Sequence, residues 1–177
     1  MKNYDTQIKK IDKNSLKQAK ELLLNNELVV FPTETVYGLG GNAFNDDAIR
    51  LIYETKGRPS NNPLIVHVHK GYNISNLVII DNEYSKKLAK KFLPGPLTMV
   101  YRTRNTISDL VCGLNTLAIR VPKHKGCQKF LKYVNLPIAA PSANISKHVS
   151  PVTAEHCLQD LDNKVPLILQ GGNVRAG

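Results

Sequence analysis

Apolar positions recur at helical spacing in five stretches of the chain and gather into short unbroken runs in six others. Ala19, Leu22 and Leu23 make one stripe, predicting a helix over residues 17–24 with Asn14 or Ser15 as its N-cap. Ala48, Ile49, Ile52 and Tyr53 make a second over residues 46–55, capped by Asn45. Residues 83–92, 128–133 and 153–161 carry the same period. The runs at 27–31, 64–68, 97–101, 117–121, 138–140 and 167–169 read as buried strands, the first stopping at Pro32. Helices and strands interleave, which predicts an α/β domain with helices packed on a largely buried sheet. Four connecting stretches are rich in Gly, Pro and polar residues: PTETVYGLGG (32–41), KGRPSNNP (56–63), PGP (94–96) and PSANISKHVSP (141–151). In α/β domains ligands sit where loops leave the strand ends, so chemistry is expected there.

Length and composition narrow the class. The 177 residues suit one domain, and 42% apolar with 21% charged residues excludes disordered and fibrous chains. The longest apolar runs, 28–31 and 77–80, are far below the roughly 20 residues of a membrane helix. The opening MKNYDTQIKK has no apolar stretch behind it, so the expectation is a cytoplasmic protein without a secretory signal or membrane partner. Net charge is +10, and residues 86–132 hold eleven Lys and Arg against one acid, Asp109. Such a surface attracts nucleotide phosphates or RNA, or else serves solubility. Cys112, Cys127 and Cys157 have neither disulfide nor zinc spacing and read as reduced thiols.

The motifs differ in weight. GLGGNA (38–43) formally fits a dinucleotide fingerprint, but the next helix cap, Asn45, comes too late and basic Lys56 and Arg58 stand where an acid is needed. In KGRPSNNPL, Pro59 favours an extended Lys56–Gly57–Arg58 that points two cations the same way, with Asn61 and Asn62 as amide donors, suiting a phosphate chain or simply a solvated loop. Strand alternation sets His67 and His69 on one face without a third metal ligand, so His67 reads first as a structural histidine. Arg120, inside the apolar LAIRV, must meet an anion. A buried ion pair and a ligand carboxylate both satisfy it, and few acids lie nearby in sequence. Ser142 and Asn144 of PSAN follow a strand end and read as a turn or cap.

Taken together, PTETVYGLG, KGRPSNNPLIVHV, FLPGPLT, LAIRVP and PSANIS, in this order and spacing, resemble the YrdC-like threonylcarbamoyl-AMP synthase family over residues 27–172. The resemblance implies a YrdC-like twisted mixed α/β sheet flanked by helices, with a basic concave face, in one domain over residues 1–177. It implies formation of threonylcarbamoyl-adenylate and pyrophosphate from L-threonine, bicarbonate and ATP with Mg²⁺. The product would feed tRNA modification, with tRNA and downstream threonylcarbamoyl-transfer proteins as partners. Lys56 and Arg58 are expected to act on the departing pyrophosphate. By resemblance Arg58, Asn62, Thr116, Ser142 and Ser150 bind ATP, and Lys56 and Asn144 are grouped with them. Thr35, His67, Arg120 and the backbone of Ala140 bind threonine. No metal site is expected in the protein itself.

Lys147 stands where the family usually has Gly, and Gln170 where Asp is usual. The family continues past Gly177 into a strand and a later arginine, so the natural C-terminal end is expected beyond this chain, with an uncovered sheet edge left beside residues 167–169. The alternatives are a tRNA- or double-stranded-RNA-binding module without chemistry, or an inactive truncated paralogue. The few aromatics in residues 86–132 weigh against base stacking.

Overall fold

The structure is a computed structural model, and it describes residues 3–57 and 63–174. In chain order it runs β1 (Gln7–Lys10), α1 (Lys13–Leu24), β2 (Val29–Pro32), β3 (Tyr37–Asn42), α2 (Asp46–Lys56), β4 (Ile65–His67), a 3₁₀ turn (Ile74–Asn76) and β5 (Val78–Ile79). There follow α3 (Glu83–Phe92), β6 (Thr98–Thr103), β7 (Thr116–Arg120), α4 (Lys125–Val134), β8 (Ile138–Ala139), α5 (Ala154–Leu161) and β9 (Leu167–Gln170). The strands form one mixed sheet in the order β1-β9-β2-β3-β8-β4-β7-β6-β5.

Alternation along the strands feeds two cores. In β2, Val29 and Phe31 point to one face, with Leu167 and Leu169 of β9 and Ile138 of β8, and α1 and α4 cover them. Leu28, Val30, Ile168 and Ala139 point the other way, towards Ile49 and Ile52 of α2 and Cys157 and Leu161 of α5. The α1–α4 layer ends before β7 and β6. There Val100 is 62% exposed and Arg102 also faces solvent, whereas Met99, Tyr101 and Thr103 are buried behind them. A sheet covered on both faces at one end and on one face at the other has a step where the covering helices stop.

Caps account for most element starts. Asn45 accepts from Asp47 and Ala48 N–H and opens α2 as the sequence indicates. The first helix begins earlier than its apolar stripe: Asp12 is the N-cap, in a reciprocal box with Ser15, so Asn14 and Ser15 lie inside the helix. Three further readings are corrected. Residues 37–42, taken as a turn, form β3, because glycines of low strand propensity are there for close packing. A Cβ at Gly40 would lie 2.8 Å from Ile138 Cγ2 and 2.8 Å from Phe31 Cε1. The same placement puts the glycines of GLGGNA inside a strand, so none of them opens a helix. Secondly, Lys56–Gly57 is not extended: Lys56 is the last helical residue and Gly57, at φ 65°, is a left-handed cap. Nor is β9 at an edge, since β1 and β2 flank it in parallel.

Candidate functional site

A cavity of about 230 Å³ opens at the step where the helix layer stops. Its floor is sheet: Gly38, Ile65, His67 and Arg120, with Ala140 at the end of β8. Register aligns these groups, for His67 pairs with Arg120 across β4–β7, and Arg120 pairs with Thr98 across β7–β6. Gly38 leaves the floor low, since a Cβ there would lie 3.1 Å from the Phe31 ring.

The β2–β3 turn forms one wall. The Thr33 hydroxyl donates to Val36 O (2.7 Å) and accepts from Thr35 N–H (3.2 Å), fixing a tight turn that projects Glu34 and Thr35 sideways. Both reach Arg120. Its guanidinium is paired with Glu34 Oε1, donates to Thr35 Oγ1 (3.2 Å) and to Gly95 O (3.3 Å), and is 7% exposed. The other Glu34 oxygen accepts from Lys123 N–H at 2.6 Å. Arg120 therefore meets an internal carboxylate, one the sequence hid by placing it 86 residues away.

His67 is buried edge-on against Phe31, with ring centroids 5.6 Å apart, and its Nδ1 lies 3.1 Å from Ile65 O. Burial, reinforced by the neighbouring Arg120 charge, lowers its pKa to about 4, so the imidazole is neutral. His69 lies past the strand end and turns to Asn135 Oδ1 (3.1 Å).

The PSAN turn forms the opposite wall. Lys56 is 4% exposed, and its Nζ donates to Ser142 O (2.7 Å) and Asn144 O (2.8 Å), while Lys56 O accepts from Ser146 N–H (2.8 Å). The Asn144 amide donates to Ile145 O and His148 O, and its buried Oδ1 has no partner. The turn is further tied by Asp160, which accepts from Ile145 N–H (2.9 Å) and pairs with His148.

Thus His67, Arg120, Ala140 and Ser142 line one cavity, with Thr35 bonded to Arg120 and Lys56 and Asn144 beneath the Ser142 wall. Thr116, exposed at the start of β7, lies outside that cavity, and Ser150 lines a separate groove with Lys147, His148 and Asp160. Arg58 and Asn62 fall outside the described residues. Of the basic run, Lys86, Lys87, Lys90 and Lys91 on α3 and Lys125, Lys129 and Lys132 on α4 are exposed, whereas Arg120 alone lines the cavity among the described residues. Glu34 and Thr33 were missed by sequence reasoning. An acid in the turn just before a strand was the available signal, but only the β2–β3 hairpin shows that it meets Arg120.

Among the described residues no group of three His, Cys, Asp or Glu could hold a metal ion. No described helix is long and apolar enough to cross a membrane. Cys127 is buried and its pKa is raised, and burial pushes Cys157 up to about 12, so neither offers a thiolate.

The sequence model of the Sua5/YciO/YrdC family, described as telomere recombination, matches residues 21–177. The chain belongs to this family. It is 48% identical over 162 residues to the threonylcarbamoyl-AMP synthase of Bacillus subtilis, covering 90% of this chain and 47% of that protein. It is 41% identical over 169 residues to the threonylcarbamoyl-AMP synthase of Pyrococcus abyssi, covering 95% and 50%. The chain thus spans about half the length of these relatives. Among solved structures, P. abyssi Sua5 complexed with L-threonine superposes with a TM-score of 0.90 at 40% identity, covering 97% of this chain and 51% of that one. Escherichia coli YciO, at 20% identity and a TM-score of 0.82, shares the fold, covering 98% and 86%. The Sua5/YciO/YrdC fold explains one departure: Lys147 sits at φ 72°, a left-handed position that glycine adopts without strain. Gln170, at the end of β9, lies with its amide 3.5 Å from Glu155 Oε1.

Proposed function

We propose that this chain carries the adenylate-forming site of a threonylcarbamoyl-AMP synthase, joining L-threonine, bicarbonate and ATP with release of pyrophosphate. The observation that carries the reading is Arg120, a buried guanidinium on the wall of a cavity of about 230 Å³, beside a neutral imidazole. A small amino acid fits that volume, and its carboxylate would take the cavity-facing N–H groups of Arg120. Neutral His67 adds no second positive charge, so the amino end of the substrate is not repelled there. The Thr35 hydroxyl and the backbone at Ala140 complete the threonine contacts.

Bicarbonate gives CO₂ and hydroxide; the amino group adds to the CO₂, its lost proton joining the hydroxide as water, and an oxygen of the resulting carbamate attacks the α-phosphorus of ATP as the bond to pyrophosphate breaks. No covalent nucleophile is needed, and the buried cysteines are unsuited to be one. Catalysis is positioning plus charge stabilisation. Lys56, bound to the carbonyls of Ser142 and Asn144, sets the turn that presents Ser142 to the nucleotide. Arg58 and Asn62 are assigned to the phosphates, with Thr116 and Ser150 as further nucleotide contacts. Mg²⁺ arrives on the ATP phosphates as part of the substrate. The product would pass to threonylcarbamoyl-transfer proteins acting on tRNA, in the cytoplasm.

The test is pyrophosphate release from ATP with L-threonine and bicarbonate present, then with each omitted in turn. Release only in the complete mixture, with serine a poorer substitute, is expected. Release that ignores threonine, or none in the complete mixture, overturns the reading.

A further inference from the structure

Glu34 contributes nothing to the cavity wall, which is built from Thr33, Val36 and Arg120 on that side. It nevertheless makes the strongest contacts around Arg120. One oxygen pairs with the guanidinium and the other accepts from the Lys123 backbone N–H at 2.6 Å. The Glu34 side chain is 22% exposed and that of Arg120 is 9% exposed, so the pair is largely removed from water. Arginine has five N–H groups in a rigid plane. Three are engaged within the protein, by Glu34 and Thr35 Oγ1 of the β2–β3 turn and by Gly95 O from the loop after α3. A planar cation held by partners on two segments is restrained from rotating, and because Arg120 lines the cavity its two remaining N–H groups are those left for a ligand.

We propose that Glu34 is a positioning residue for a carboxylate ligand: it grips Arg120 from behind and ties it to the start of α4 through Lys123, so that the guanidinium meets the ligand already oriented. This rests on the amino-acid site proposed above. Glu34 carries a charge of the wrong sign for a carboxylate site, so what it contributes is geometry rather than attraction. That separates two substitutions. Glu34→Ala removes both contacts and frees Arg120 to swing. In Glu34→Gln the side-chain oxygen still accepts from Arg120, but the amide nitrogen cannot accept from the Lys123 N–H, and the negative charge is gone.

The test is calorimetric titration of L-threonine, and separately of ATP, into the wild-type chain and both variants. Alongside it, solvent exchange of the Arg120 Nη2 protons, the ones facing Glu34, is followed by NMR, the resonances identified with Arg120→Lys. Glu34→Ala should weaken L-threonine binding about ten- to a hundredfold, the range for losing a charge-assisted hydrogen bond, and leave ATP affinity within about twofold. Glu34→Gln, which keeps the Arg120 contact and loses the Lys123 one, should bind L-threonine more tightly than Glu34→Ala and less tightly than wild type. The Nη2 protons should exchange slowly in wild type and Glu34→Gln and quickly in Glu34→Ala. Unchanged L-threonine affinity in Glu34→Ala, or equal weakening of both ligands, overturns the proposal. So does a Glu34→Gln variant as weak as Glu34→Ala, since an acceptor on the Arg120 guanidinium would then contribute nothing. If the wild-type chain does not bind L-threonine, the functional reading falls. The Nη2 exchange then decides by itself: slow only with Glu34 or Gln at this position upholds the grip on Arg120, and no difference overturns it.

Discussion

Lys56 is assigned two incompatible jobs by its surroundings, and a substitution separates them. An ammonium reserved for a phosphate should be stored near water, yet this one is 4% exposed and donates to Ser142 O at 2.7 Å and Asn144 O at 2.8 Å. Lys56→Met keeps the length and apolar stem and removes only the donor. Each hydrogen bond from a charged donor is worth about 1.5–3 kcal/mol, and Ser142 O keeps a second donor in the Asn144 N–H. Relief from burying a cation offsets part of the loss. The net expectation is a destabilisation of about 2–4 kcal/mol, concentrated in the PSAN turn. For a domain of this size that lowers Tm by roughly 5–15 °C. Differential scanning calorimetry of the ligand-free proteins measures it. A Tm within about 2 °C of wild type would show that the two carbonyls find other donors at no cost, and would return Lys56 to the phosphates. Should Tm rise instead, the ammonium is a buried charge whose removal helps, and the tether argument fails outright.

Other outcomes follow from the same contacts. His67 has a folded pKa of about 4 against 6.5 unfolded, so the unfolded state binds the extra proton between those values. Its contribution is whole above pH 6.5 and is lost as pH falls to about 4, roughly 3 kcal/mol in all. Urea melts across that window should show His67→Gln with a shallower pH dependence than wild type, and equal slopes would refute the burial argument. Gly40→Ala drives a methyl to 2.8 Å from Phe31 and Ile138 and should cost about 1–3 kcal/mol by chemical denaturation. Lys147→Gly relieves the left-handed backbone at φ 72° and should raise stability by about 1 kcal/mol, measured the same way.

Much of this was legible because periodicity and caps act locally. Asn45, Thr153 and the Ala48–Tyr53 stripe place α2 and α5 from a dozen residues each. The strand at residues 37–42 was not legible, since its glycines answer to Phe31 and Ile138, partners that only folding supplies. β1 was hidden for another reason: QIKK has one apolar residue, and it holds its place by parallel pairing with β9 rather than by burial. At the site, a charge inside an apolar strand was enough to mark Arg120. Its partner was not findable, because nothing local links residue 34 to residue 120.

The two buried cations show why such a site resists reading from sequence. Arg120 and Lys56 are each 7% exposed or less, and each is satisfied within the protein: one by a carboxylate, the other by turn carbonyls. Because burying a charge without a partner is costly, a fold can carry cations this deep only if it supplies such partners before any ligand arrives. The partners then set where the remaining donors point. A ligand would find the Arg120 fork oriented by Glu34 and the Ser142 turn held by Lys56, paying little to organise either. The groups that would touch substrate are those whose residue types drew notice in the sequence. The groups that aim them are an acid in a hairpin turn and two backbone carbonyls, which lie within the PTETVYGLG and PSAN stretches without announcing their partners.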